Sequence, residues 1–311
     1  MRRFITSIFK FTLLIIPSYL IFLFIWNFMP GRAKPNFVYP LGGYGHLHTR
    51  LQEVNEFENV DILFLGSSHS YRGFDVRIFE KHGWRVFNLG SSSQTPIQTQ
   101  ILLERYLDTL NPKLVVYAVS QDLFTSDGTE PALDIIANDK MDIKNINMAL
   151  KINNIKVYNA LIYRIARDLL RLDSNFQEPI CKEDDTYISG GFVEKSPEFS
   201  PEKPKRFILE SDMTLLKHQL ESFENIISLL EKRNIDYIFV RTPILRSYYD
   251  SFATNEKFDA MMHGYGKYYN YNEILDLDDF YFYDRSHLNQ KGVELFSTEL
   301  LHGIDSSGIL K

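Results

Sequence analysis

The stretch "LFLGSSHSYRGFD", residues 63 to 75, runs apolar up to a glycine and then presents Ser67, Ser68, His69 and Ser70. Hydroxyls just past the end of a buried strand can cap a helix, hold an anion or attack a carbonyl carbon. A serine hydroxyl is a weak nucleophile until a base within reach takes its proton, and that base needs an orienting partner. Such a pair stands near the far end of the chain, in "YFYDRSHLNQKG": Asp284 and His287, followed by Asn289 as the N-cap of a closing helix. At a spacing of three, a carboxylate can accept the Nδ1 hydrogen of the imidazole and leave Nε2 free. Ser68 therefore has two open roles, nucleophile or helix cap.

The segments that must position these groups alternate. "VDILFLG", "WRVFNLG", "KLVVYAVS" and "IDYIFVRTP" read as buried strands; "FDVRIFEKHG", "TPIQTQILLERYLDTLNP", "DMTLLKHQLESFENIISLLEKRN" and "NQKGVELFSTELLHGI" read as helices. Continuous apolar strands alternating with helices indicate a parallel sheet covered on both faces. Ligands in such sheets sit beyond the carboxyl ends of the strands, where Ser68, Gly90 and Ser120 all fall. Arg241, just past "YIFV", is a candidate for an anionic substrate group, with a surface salt bridge as its other reading. His69 reads as a neighbour that shapes the pocket. The aromatic run "YGKYYNYNEILDLDDFYFYDRSH" offers sugar-stacking faces, but its alternation reads first as a strand with one packed face. Residues 124–211 break the alternation, with one plausible helix, "IKVYNALIYRIARDLLRL", and a Pro-rich tract, and read as an insertion.

Apolar residues make up 44% of the chain and charged ones 24%, an ordinary globular balance. A net charge of -6 argues against a nucleic-acid surface. The single cysteine, Cys181, allows no internal disulfide. His46 and His48 in "GHLH" would share one face of a strand with no third ligand nearby; they read as surface or stem residues, and neither a metal nor another cofactor is expected.

The N-terminus differs. "MRRFITSIFK" carries the basic side chains of Arg2, Arg3 and Lys10, and residues 11 to 29 then run without a charge. That is enough to span a bilayer core as a helix. A cleaved signal peptide would usually have a shorter apolar region and a small-residue cleavage site. The expected organisation is a membrane anchor over 1–30, a Pro/Gly-rich stem over 31–59 and one domain over 60–311. The basic start places the N-terminus in the cytoplasm and the domain on the extracytoplasmic side, periplasmic or cell-surface; Arg32 and Lys34 weaken that asymmetry.

Taken together, "FLGSSHS", "NLGSSSQ" and "DRSHLNQKG", in this order, resemble the SGNH (GDSL-type) hydrolase superfamily over most of residues 60–305 outside the insertion. The resemblance implies a flavodoxin-like three-layer α/β/α fold. It makes Ser68 the nucleophile, His287 and Asp284 its base and orienter, and the N–H groups of Ser68 and Gly90 oxyanion donors. Two departures stand out: Ser67 replaces the aspartate of G-D-S, and the third block, normally G-x-N-D, reads "VSQD", so the oxyanion asparagine falls on Gln121. The "GSS" first block with an anchor is similar to the branch engaged in O-acylation of envelope polymers. That implies an acyl-ester hydrolase or O-acyltransferase acting on a glycan or glycolipid, with a membrane acyltransferase as a possible partner. The rival expectation is a non-catalytic protein that binds a polymer or supports such an acyltransferase.

Overall fold

The computed structural model describes residues 1–27, 40–195 and 213–310. The first part of the stem, with Arg32 and Lys34, and most of the Pro-rich tract of the insertion lie outside the described residues.

Five parallel strands form the central sheet: β1 (Ile62–Leu65), β2 (Val86–Asn88), β3 (Leu114–Ala118), β7 (Asp236–Arg241) and β8 (Tyr268–Asn270), in the order β2-β1-β3-β7-β8. With the insertion's strands set aside this is the flavodoxin-like order 2-1-3-4-5. Each inner strand is apolar on both sides because both faces are covered. Leu63, Leu65, Val115, Tyr117 and Phe239 pack beneath the helices Pro96–Leu110 and Lys217–Lys232. Ile62, Phe64, Leu114, Val116 and Val240 meet the helices Val76–Lys81 and Gln290–Ser307 on the opposite face. The result is the three-layer α/β/α arrangement expected from the alternation.

Register sets the level of the site. Phe64 pairs with Asn88, Leu65 with Tyr117 and Ala118 with Val240, so the residues following β1, β2, β3 and β7 emerge at one edge.

The insertion is more structured than its sequence suggests. Besides the helix Ile155–Leu169 it holds helices Thr129–Asn138 and Ile143–Ile152 and an antiparallel sheet of β4 (Cys181–Lys182), β5 (Asp185–Ile188) and β6 (Phe192–Lys195). The aromatic run near the C-terminus is not one strand: only Tyr268–Asn270 pairs with the sheet, and short helical turns follow. Residues read as stem are also packed: the helix Leu47–Glu53 buries Leu47 and Leu51 in the core. His46 caps that helix with a left-handed φ of 54° and is fully buried, and is neither surface nor strand. Burial beside Lys182 lowers its pKa to about 4.

The N-terminal helix, Arg2–Asn27, is long and apolar enough to cross a membrane.

Candidate active site

β1 ends in Leu65, and the chain turns through Gly66 before entering the helical turn Ser68–Tyr71. Gly66 has φ +134°, and a Cβ there would lie 2.7 Å from the Ala118 carbonyl oxygen, so no side chain fits this crossing. The N-cap of the turn is Ser67, whose Oγ accepts from the His69 N–H. The capping role falls to Ser67, and Ser68 lines the space beyond the sheet.

That hydroxyl lies 2.8 Å from Nε2 of His287. On the other side of the ring, Nδ1 is 2.9 Å from Oδ2 and 3.0 Å from Oδ1 of Asp284. Oδ1 also accepts from the backbone N–H groups of Ser286 (2.7 Å) and His287 (2.8 Å), so the loop orients carboxylate and imidazole together. Asn289 caps the next helix by accepting from Gly292 N–H and donates to the Phe280 carbonyl at 2.6 Å, which fixes the loop from behind. Tyr283 lies parallel to the His287 ring, with centroids 5.4 Å apart. Partial burial pushes the Asp284 carboxyl up, but its hydrogen bond to His287 and the loop N–H donors outweigh this and hold its pKa at about 2.

These groups open onto a cavity of about 300 Å³. Ser68, His69, Ser93 and Gln121 form part of its polar wall; Ile244, Tyr248 and Phe252 are on the apolar side. His69 stands with its ring centroid 5.3 Å from that of His287. Burial, and then the neighbouring His287, lower its pKa to about 4, so it is neutral at ordinary pH.

Two expected positions differ, Gly90 and Arg241, while Gln121 stands where it was expected. Gly90 does not line the cavity, and its N–H donates to Oδ1 of Asn88 at 3.1 Å. The need there is steric: a Cβ would come within 3.0 Å of the Gly66 carbonyl oxygen and of Ser70 Cβ. The part of the second loop that borders the cavity is Ser93, held at φ +50°. Arg241 does line the cavity, but as a buried ion pair: it donates to Asp259 Oδ1 at 3.1 Å and to Asn255 Oδ1 at 2.6 Å, and stacks over Tyr249. Its charge is paired with Asp259 inside the protein. Gln121 is buried at the wall, and Thr254 Oγ1 donates to its Oε1 at 2.7 Å, which leaves the amide NH₂ as the donor end.

Two positioning residues were not legible beforehand. Asn88 accepts from Ser70 Oγ (3.0 Å) and donates to the Ser70 carbonyl (2.9 Å), tying the serine turn to the second loop. Arg50, fully buried, donates from Nη1 to the Gly90 carbonyl (2.9 Å) and from Nε to the Gly191 carbonyl (3.0 Å), clamping that loop to the β5–β6 hairpin. The only sequence hint for Asn88 was its place at a strand end. Arg50 had none.

Neither a protein-family model nor a curated protein sequence matches the chain. Among solved structures, it is similar to a protein of Bacteroides fragilis NCTC 9343 described as a "putative acylhydrolase", at 13% identity and a TM-score of 0.46, covering 85% of this chain and 98% of that one. It is also similar to a GDSL-like lipase of Bacteroides thetaiotaomicron VPI-5482, at 10% identity and a TM-score of 0.44, with the same coverage.

Proposed function

We propose that this chain is a serine-dependent acyl-ester hydrolase or O-acyltransferase of SGNH type. The observation that carries the reading is the continuous line from Ser68 Oγ through His287 to the Asp284 carboxylate, at 2.8 Å and 2.9 Å. A nucleophile, a base and an orienter drawn from opposite ends of the chain meet in hydrogen-bonding order at the mouth of a cavity.

In this mechanism Ser68 Oγ attacks the acyl carbonyl carbon while His287 Nε2 takes its proton. Asp284, ionised, holds the imidazole by Nδ1–H and stabilises the imidazolium. The oxyanion is met by the N–H of Ser68 and the NH₂ of Gln121, and Ser93 of the second loop lines the same cavity. When the tetrahedral adduct collapses, the alkoxide leaves with the proton from His287 and Ser68 carries the acyl group. Water or a sugar hydroxyl, deprotonated by His287, then attacks the acyl-serine ester and restores the serine. The acceptor in that second half decides between hydrolase and transferase.

A cavity of about 300 Å³ suits an acetyl or another short acyl group. The apolar N-terminal helix supports a membrane anchor; with it goes the proposal of a domain outside the cytoplasm that acts on an envelope glycan or glycolipid beside a membrane acyltransferase.

The test is labelling of the full chain by a fluorophosphonate probe, with the modified peptide located by mass spectrometry, and turnover of an activated acetyl or butyryl ester. Modification of Ser68 supports the reading. A folded protein that is neither labelled nor active overturns it in favour of the non-catalytic polymer-binding or partner role.

A further inference from the structure

The N-terminal helix does not leave the domain behind as it enters the apolar run. Its charge-free stretch begins at residue 11, yet Tyr19 already donates its hydroxyl to Asn159 Oδ1 at 2.5 Å. Further on, Leu23 is 3% exposed and the Phe24 ring lies 5.2 Å from that of Tyr163. Asn159 and Tyr163 both lie on the helix Ile155–Leu169. Residues 11 to 18, ahead of the first contact, span about 12 Å at the usual helical rise. A bilayer core is about 30 Å thick. The charge-free stretch reaches that thickness only with the level of Tyr19 to Trp26 included, where helix Ile155–Leu169 lies alongside.

The outer surface of that helix fits such a position. Ile155, Ile162, Ile165 and Leu169 fall on one stripe and are between 37% and 82% exposed. Leu170 and Leu172 extend the stripe past its end, at 60% and 58%. The preceding helix, Ile143–Ile152, exposes Ile143, Ile146 and Leu150, spaced to share a face of their own. The charges between these stripes are largely answered: Arg164 pairs with Asp168 and bonds the Ile136 carbonyl, and Arg167 pairs with Asp173. Lys156, in the first turn, has a stem long enough to reach headgroups. An apolar stripe of this extent is unusual on a surface facing only water.

We infer that helix Ile155–Leu169, with the exposed stripe of Ile143–Ile152, is a membrane foot: it lies in the bilayer at the acyl–headgroup boundary beside the anchor and takes lipid as its partner. The inference rests on the proposed anchor and is independent of the proposed chemistry. It gives the insertion a task of its own, which is to hold the domain against the membrane at a fixed height and rotation.

The test uses the full chain, with Cys181→Ser, reconstituted in nanodiscs of pure lipid. An environment-sensitive fluorophore is placed in turn at Leu14→Cys, Ile162→Cys, Leu169→Cys and, as an aqueous reference on the last helix, Glu294→Cys. Labels at positions 14, 162 and 169 should be quenched by nitroxide-labelled lipid several-fold more than the label at position 294, and less by aqueous iodide. If the label replacing Leu14 is reached by lipid while those replacing Ile162 and Leu169 behave like the one replacing Glu294, the foot is overturned and the anchor stands. If the label replacing Leu14 is itself aqueous, the anchor fails and the foot with it. Labels replacing Ile162 and Leu169 that are shielded from iodide yet untouched by lipid nitroxide would mean that protein covers this face, which also overturns the proposal.

Discussion

Ser68 Oγ and His287 Nε2 stand 2.8 Å apart although 219 positions separate them in sequence. The distance depends on two turns that leave each group free: Ser67 takes the capping role ahead of Ser68, and Asn289 takes it behind His287. Ser68→Ala should therefore abolish ester turnover, by on the order of 10⁶ if the three groups act as a unit, with little change in unfolding. Ser67→Ala should do the reverse, keeping turnover within a few-fold and losing about 1 kcal/mol of stability with the cap. Parallel kinetics and urea unfolding of the two variants check this. Loss of turnover in Ser67→Ala alone would move the nucleophile by one residue.

Asp284 has a pKa of about 2, because hydrogen bonds to His287 and to the loop N–H groups outweigh its partial burial. It is therefore ionised at any pH where the enzyme would work, and it cannot produce an acid limb in kcat/KM near neutrality. Asp284→Asn should lower kcat/KM by on the order of 10⁴ across the whole range from pH 5 to 9. A variant that differs from the parent only below pH 5 would show that the carboxylate does not serve the histidine.

The sheet, its order-determining helices and the three residues of the Ser–His–Asp line were legible because each leaves a local mark. Buried parallel strands are unbroken apolar runs, and the serine and the D-x-x-H pair follow recognisable strand and helix boundaries. What was not legible depends on distant contacts. Gly90 looked like an amide donor, but Asn88, two residues earlier, claims its N–H, and only the folded loop shows this. Arg50 fell in the segment read as stem, and charged side chains are usually exposed, whereas here two carbonyls and the rings of Tyr71 and Tyr187 receive it. Helix Thr129–Asn138 starts from Gly128 with no side-chain cap, so its usual start signal is missing. Helix Ile143–Ile152 does carry a capping box, Asp142 with Asn145, which could have been found. The strands β4 to β6 span two to four residues, too short for alternation to register.

Gln121 stands where the resemblance implies an asparagine, and Thr254 holds its amide by the oxygen. If the free NH₂ meets the oxyanion, Gln121→Ala should lower kcat about 10²- to 10³-fold with little change in KM. Thr254→Val should lower it less, since the donor remains and only its aim is loosened. Steady-state kinetics on one activated ester suffice. Equal and small effects in both variants would remove Gln121 from the oxyanion site.

Arg50 bonds the Gly90 and Gly191 carbonyls from a fully buried position. Arg50→Met would leave both acceptors unpaired, at about 1–3 kcal/mol each, and should also slow turnover by releasing the loop that carries Ser93. Arg50→Lys, which cannot serve two carbonyls from one planar fork, should fold and show the kinetic defect without the full loss of stability. Turnover unchanged in a folded Arg50→Lys would confine Arg50 to a structural task.

The last prediction concerns Asp134, buried in helix Thr129–Asn138. Its Oδ1 accepts from Asn138, while Oδ2 has no hydrogen-bond partner. Burial raises its pKa from 3.8 to about 8, against the opposing pull of Arg50 and Lys182, with Glu178 adding to the rise. A carboxyl whose native pKa lies above its unfolded value binds its proton more tightly in the folded state. The stability this contributes is fully present below pH 3.8 and is lost as pH rises through about 8, where the native group must ionise without a full set of partners. Asp134→Asn mimics the protonated form and has nothing to lose. The variant should gain stability relative to the parent as pH rises from 4 to 9, and the difference should level off above about pH 8. Urea unfolding of both chains over that range measures it. A stability difference that stays constant from pH 4 to 9 would show that Asp134 has the same pKa folded and unfolded.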